Sequence, residues 1–353
     1  MARSFGLLGI DIAYIIALCG TLFSASFFVM GGRLFMLSHE QFFLFLDFFP
    51  ALFFFLNGLT VTLTMRDKRI SSQRLLYYLG KRGLVLLIMG FLFIGVWPLN
   101  LLFASGIFYI LAPLFANWNN VILRTLGLAV ALSAILMINF DVDTNVIFTG
   151  LDLSGLKFSN LFSFVFFNSY YSILPWICFF IMGMLFGRND LRLKGIFPPA
   201  SILAIGAILL SIFVQKYSHA FYTEGDKTEY LHFFPFNVKF YMPSFIIFCL
   251  GAITLLMNTL IYVFRRDLDR QVVKKIQSIS GSKYSIIFFH LLFSVIVISI
   301  TNEITFRNKW VIFLLALGSV GISLAITLVW KNKISETAPI EWLIKRLSSS
   351  TKK

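Results

Sequence analysis

Charge is scarce in this chain. Of its 353 residues only 13% are Asp, Glu, Lys or Arg, about half the share carried by a typical soluble domain. Acid is scarcer still, with 16 acidic residues against 30 basic ones and a formal net charge of +14. Forty-three phenylalanines and a 58% hydrophobic content leave too little polar surface to cover a water-soluble globule. The composition excludes a soluble enzyme and describes an integral membrane protein. Cysteine is also rare: Cys19, Cys178 and Cys249 lie singly in apolar runs. With no CxxC pair among them, neither a disulfide framework nor a metal site is expected. No internal repeat is visible, so an inverted-repeat transporter gains no support. A cleavable leader is not expected either. The first apolar run follows a single Arg3, is too long for a signal core and carries Asp11.

What the chain does have is apolar runs separated by polar punctuation. They cover 5–30, 42–64, 83–97, 101–116, 121–138, 171–187, 197–214, 241–264, 284–300 and 310–330. The fold class expected is all-α: a polytopic membrane helix bundle of about ten spans forming one transmembrane domain over 1–353. The third and fourth runs, divided only by Pro98-Leu99-Asn100, read as a tight hairpin or a broken pair. Charge orients the bundle. With the amino terminus inside, only Arg33, Lys157, Lys216, Lys227, Lys239, Arg307 and Lys309 fall on outer segments. The other 23 of the 30 basic residues face the cytoplasm, as the positive-inside rule demands. Both termini are then cytoplasmic, and the net charge needs no nucleic acid to explain it. Residues 31–41 and 301–309 make short outer links, while 139–170 and 215–240 are long enough for a lid or binding surface. Trp97, Trp118, Trp176, Trp310 and Trp330 near span ends read as interfacial anchors.

Ionisable groups inside apolar runs must face a partner, a cavity or the bundle interior. Asp11 lies early in the first run, open to helix capping or pairing with a basic group as well as to a functional role. Asp47 sits within the second run, three residues before Pro50, and nothing local neutralises it. Asn57 and Gly58 are lower on the same run. His39 and Glu40 precede it in a short outer link, where a solvated histidine is the ordinary reading. His290 is mid-run in the ninth span, and a core histidine bonded to a helix carbonyl accounts for it equally well. His219 and His232 read as solvated loop residues. A carboxylate beside His39 would raise its basicity. Asp47 is about two turns away and Glu40 competes for that place.

Five segments, in order, resemble the membrane-bound heparan-alpha-glucosaminide N-acetyltransferases and their bacterial relatives. They are Gly9-Ile10-Asp11-Ile12-Ala13; the proline-led aromatic run Phe48 to Gly58; Leu174-Pro175-Trp176 with the glycine-closed Gly183 to Arg188; Lys239 to Ser244 with Leu250-Gly251; and Tyr284 to His290. The last segment, and Phe53 to Gly58 followed by Lys81-Arg82, also resemble the wider transmembrane acyltransferase superfamily. The chain departs from the family at Tyr14 and Ile15, which stand where an Arg-Gly pair usually follows the aspartate. It has no histidine in the first span, which favours the glucosaminide branch over the O-acyl branch.

The resemblance implies transfer of an acyl group, most simply acetyl, from cytoplasmic acetyl-CoA to an amino or hydroxyl group of a sugar or glycolipid acceptor outside. It implies no metal and no nucleic acid. Lys81 and Arg82, with Arg188 next, are the expected contacts to the coenzyme phosphates, although anchoring of anionic lipid headgroups would use the same residues. His39 is the expected base, with Asp47 orienting it or binding the acceptor and His290 in reserve as base or proton relay. Asn57 or Ser285 would donate to the thioester carbonyl oxygen. Tyr171, beside Tyr170, and Trp176 would stack on a sugar ring. The competing reading is a permease or flippase without acyl transfer, and a scaffold is the third. A short tail and the lack of a targeting motif favour a bacterial inner membrane. A homodimer stays open.

Overall fold

The structure, a computed structural model, describes residues 8–38, 40–66, 72–94, 100–137, 165–166, 171–189, 197–218, 243–264, 269–301 and 309–349. Among the described residues twelve helices follow one another: α1 (Leu8–Ser38), α2 (Glu40–Met65), α3 (Ser72–Phe91), α4 (Leu101–Ala116), α5 (Asn120–Met137) and α6 (Ile173–Arg188). After them come α7 (Phe197–Ser218), α8 (Pro243–Val263), α9 (Arg270–Ser280), α10 (Lys283–Thr301), α11 (Lys309–Lys333) and α12 (Pro339–Ser349). No strand occurs among the described residues.

A helix overlaps every apolar run of the sequence. Four segments, Leu8–Phe27, Asp47–Met65, Ser244–Val263 and Trp310–Lys333, are long and apolar enough to cross a membrane. The α9–α10 pair, bent by 54° at its break, qualifies as a fifth if taken as one span. Several such helices mark a membrane protein. The outward faces agree: Leu314 on α11 is 64% exposed, and Leu203 on the shorter apolar helix α7 is 75% exposed, as lipid-facing side chains are.

The differences from the sequence reading are informative. The helix over the third apolar run begins at Ser72, not 83, because its first turns alternate Arg74, Lys81 and Arg82 with Leu75, Tyr77, Tyr78 and Leu79. Hydropathy averages such a stretch away, yet it is helical. The short link expected at 31–41 is helical up to Ser38 and again from Glu40. Two helices were not expected at all, α9 and α12. Both are short and amphipathic, with basic residues on one side and Val273, Ile340 and Ile344 buried on the other. The segments 139–170 and 215–240, expected on the outer side, fall largely outside the described residues, as do Trp97, His219 and His232.

Lipid tails are as apolar as leucine, so helices in a bilayer associate through close backbone approach rather than burial from water. Glycine supplies that approach here. On α2 and α6 the contact is reciprocal: a methyl added at Gly58 would run into the Phe180 carbonyl, and one added at Gly183 into the Phe55 carbonyl. The α3–α4 crossing repeats the device, with a Cβ on Gly83 standing 2.8 Å from the Gly106 carbonyl oxygen and one on Gly106 2.9 Å from that of Gly83. α2 touches α1, α3, α4, α6 and α8. Its Phe53, Phe54 and Phe55 fill the centre of the core, with Phe54 edge-on to Phe108, Tyr171 and Trp176.

Candidate functional site

The site forms where α9 breaks into α10. Asp269 caps α9, accepting from the Gln271 N–H at 2.9 Å, and Gly281 ends that helix. Ser282 then lets α10 start, so the α10 amino terminus opens inside the protein. A cavity of about 480 Å3 lies beside it. α3 contributes Tyr78 and Arg82 to its wall, the break contributes Gly281, Lys283 and Tyr284, and α12 contributes Glu341, Ile344 and Lys345. Three cations thus face one small space, and one carboxylate stands among them.

Behind the wall lies a buried polar network. Asn57 Oδ1 is within hydrogen-bonding distance of three phenol groups: Tyr14 at 3.2 Å, Tyr109 at 3.2 Å and Tyr284 at 3.0 Å. Tyr14 also lies 2.6 Å from the Thr60 hydroxyl, which donates to the Leu56 carbonyl. Arg82 Nη2 donates to the Tyr284 hydroxyl at 3.1 Å, so the Tyr284 proton goes to Asn57 or to Tyr109, 3.1 Å away. The Arg82 guanidinium lies 4.4 Å from the Tyr109 ring centre and 5.0 Å from that of Tyr284. Lys283 Nζ stands 3.3 Å from the Tyr14 ring centre. Cations over aromatic faces keep their N–H groups available while gaining electrostatic stabilisation. The neighbouring Ser280 hydroxyl donates to Asp11 at 2.6 Å.

Glu341 fixes the opening of α10. Its Oε1 accepts from the Tyr284 N–H at 2.8 Å and the Ser285 N–H at 3.3 Å, and its Oε2 accepts from the Ser285 hydroxyl. That hydroxyl in turn accepts from the Ile340 N–H at 2.9 Å. A carboxylate at a helix amino terminus is stabilised by the orphan N–H groups and the dipole. Burial still pushes the Glu341 carboxyl above the usual carboxylate range, against the hydrogen bonds from Ser285 and the Tyr284 and Ser285 amides.

Basic side chains gather at the same end of the bundle, and several are spent on helix carboxyl termini. Arg188 donates to the carbonyls of Trp118, Phe115 and Ala116 and to Asn120, closing the α4–α5 turn. Arg66 binds the Gly187 and Asn189 carbonyls, and Lys331 binds Ser278 and Ser282 at the helix break. Lys81 donates to the Leu347 carbonyl at 2.7 Å and lies over the Tyr77 ring, pinning α12 to α3. Of the three expected phosphate contacts, only Arg82 lines the cavity.

The remaining expected residues are scattered. Asn57 joins the network behind the wall, and the Ser285 hydroxyl is engaged with Glu341. His290 is fully buried between α1 and α11, with Nε2 3.3 Å from the Ser26 hydroxyl, itself 2.8 Å from Ser319. It stands about 9 Å along α10 from Tyr284. Asp47 is buried and close enough to Tyr171 and Cys249 to act on both electrostatically. Trp176 is neither at a mouth nor an interfacial anchor: it is 0% exposed and packs edge-on against Phe54 and Tyr171. His39 lies outside the described residues. Sequence reasoning missed Tyr14, Tyr109 and Glu341 as members of a site. Tyrosine beside a basic residue at a span end was the available signal. Among the described residues no three His, Cys, Asp or Glu side chains come together as metal ligands would. Comparison of the chain with protein-family models, with curated proteins and with solved structures gives no match.

Proposed function

We propose that the protein is a multi-pass membrane acyltransferase. It takes an acyl group, most simply acetyl, from a cytoplasmic coenzyme A thioester. It passes that group to an amino or hydroxyl group of a glycan acceptor on the opposite side. In this reading ten helices, α1 to α8 with α10 and α11, cross the membrane and both termini are cytoplasmic. The observation that carries it is the cavity made cationic by Arg82, Lys283 and Lys345 at the basic end of the bundle. Coenzyme A carries several phosphates and cannot cross lipid, so its head needs a cationic pocket on the side where it is made. The volume is in the usual range for small-molecule sites.

The chemistry follows from that layout. The acceptor nitrogen or oxygen attacks the thioester carbonyl carbon, the C–S bond breaks, and the acyl group leaves the sulfur for the acceptor. The acceptor proton goes to a base and the leaving thiolate takes one up. His39 is the base in this proposal, on the strength of the family resemblance, with Asp47 orienting it or binding the acceptor. Thr60 in the cavity wall and Asp47 are separated by about 20 Å along α2. That is the reach of a phosphopantetheine arm, so a head bound at Arg82 delivers its thioester deep in the bundle.

The test is made on purified protein in nanodiscs with labelled acetyl-CoA and a glucosaminide acceptor. Saturable coenzyme A binding and acetyl transfer are expected. Arg82→Gln is expected to lose binding, whereas His39→Ala keeps binding and loses transfer. Absence of coenzyme A binding, together with substrate flux into liposomes that contain none, overturns the proposal in favour of a permease.

A further inference from the structure

The anion-attracting end of α10 already holds an anion, and the protein supplies it. Glu341 reaches from α12 to the Tyr284 and Ser285 N–H groups and the Ser285 hydroxyl, while its carboxylate also lines the cavity with Arg82, Lys283 and Lys345. From the proposed donor site, and resting on that reading, we infer that Glu341 is a specificity-determining residue. It occupies the α10 terminus as a built-in competitor and so sets the charge that a donor head must carry to bind.

The argument is one of charge and place. A free helix terminus next to three cations would hold any small anion, carboxylates and chloride included. With Glu341 in that position, the terminus is filled and the cavity's formal charge falls from +3 to +2. A small monoanion then finds the α10 amides already taken by Glu341 and has only the field of the remaining net charge to hold it. A head with two or more phosphate charges meets a complementary field, which favours a coenzyme A thioester over the smaller anions of the cytoplasm. Glu341 also holds α12 against α10, which keeps Lys345 in the wall. Its two actions therefore oppose each other, one repelling the ligand and one positioning a cation for it.

The charge and the positioning separate in Glu341→Gln, which keeps an acceptor oxygen for the α10 amides and removes the charge. Coenzyme A is expected to bind Glu341→Gln roughly tenfold more tightly, the effect of removing one unit charge at this range in a partly screened site. Inorganic phosphate and acetate, barely bound by the wild type, are expected to bind the variant measurably. A measurement on the wild type alone checks the same point. Protonating Glu341 mimics the substitution, so coenzyme A affinity should rise as pH falls toward the raised carboxyl range. The Glu341→Gln profile should lack this rise and so reports the ligand's own titration. The other groups facing Glu341 are Arg82 and Tyr78 from α3, Lys283 and Tyr284 from α10, Lys345 on α12 itself and Lys331 from α11. Equal or weaker coenzyme A binding by a folded Glu341→Gln protein, or identical pH profiles for the two proteins, overturns the inference and leaves the donor site standing. Failure of the wild type to bind coenzyme A overturns the donor site itself.

Discussion

Arg82 does three jobs that a lysine cannot combine: it donates to the Tyr284 hydroxyl, lies over two tyrosine rings, and presents its remaining edge to the cavity. The planar, delocalised guanidinium suits stacking and forked donation together, whereas an ammonium is a compact point charge. Arg82→Lys is therefore expected to keep part of the coenzyme A affinity and Arg82→Gln to lose at least tenfold, read by isothermal titration. Asn57 has a different task, since it lies behind the wall and gathers three phenols around one oxygen. Asn57→Leu removes that shared acceptor from a buried cluster and should cost about 1–3 kcal/mol, seen as a lower melting temperature in detergent. Asn57→Asp, which keeps an acceptor, should not follow it if the cost is the lost hydrogen bonds. These roles were half legible in the sequence. A basic residue at a span end and an asparagine inside a span both stand out against apolar surroundings. What brings them together is three tyrosines from three separate helices, and tyrosine near a membrane surface is too common to announce a site.

The elements obey a rule that hydropathy alone does not reveal. Runs of apolar residues marked where helices would lie, and a helix overlaps each of them. Two amphipathic helices escaped notice because their charges cancel the apolar signal, and these two, α9 and α12, contribute Ser280, Glu341, Ile344 and Lys345 to the cavity wall. The crossings depend on glycines whose role no periodicity reveals, because a glycine in an apolar run looks like any small residue until its partner helix is known. Gly58 and Gly183 face each other's backbone with no room for a methyl group. Gly58→Ala or Gly183→Ala is expected to force α2 and α6 apart and destabilise the protein by about 1–3 kcal/mol or more. Gly206, with nothing within 4 Å of an added Cβ, should accept alanine with no loss. Thermal unfolding of the three variants under one condition makes the comparison, and a Gly58→Ala protein as stable as Gly206→Ala would contradict the crossing.

At the scale of the whole molecule the question is which way the basic end faces. Arg66, Lys81, Arg188 and Lys331 all bind carbonyls at helix carboxyl termini on the end where the cavity opens. Each bond places a positive charge at the negative end of a helix dipole. The basic bias of the chain is thus partly structural, and it coincides with the orientation that the positive-inside rule prefers. If that end is cytoplasmic, a coenzyme A thioester reaches Arg82 without crossing lipid, and the proposed topology assigns residues 139–170 to the opposite side. The three native cysteines lie in apolar helices, two of them fully buried, so a membrane-impermeant maleimide should leave them unmarked. A cysteine introduced at Thr149 should then react in intact cells, while one introduced at Lys353 should react only after the membrane is opened. The reverse pattern would turn the cationic cavity outward, away from any pool of coenzyme A. No arrangement of Arg82, Lys283 and Lys345 could then serve a donor made in the cytoplasm.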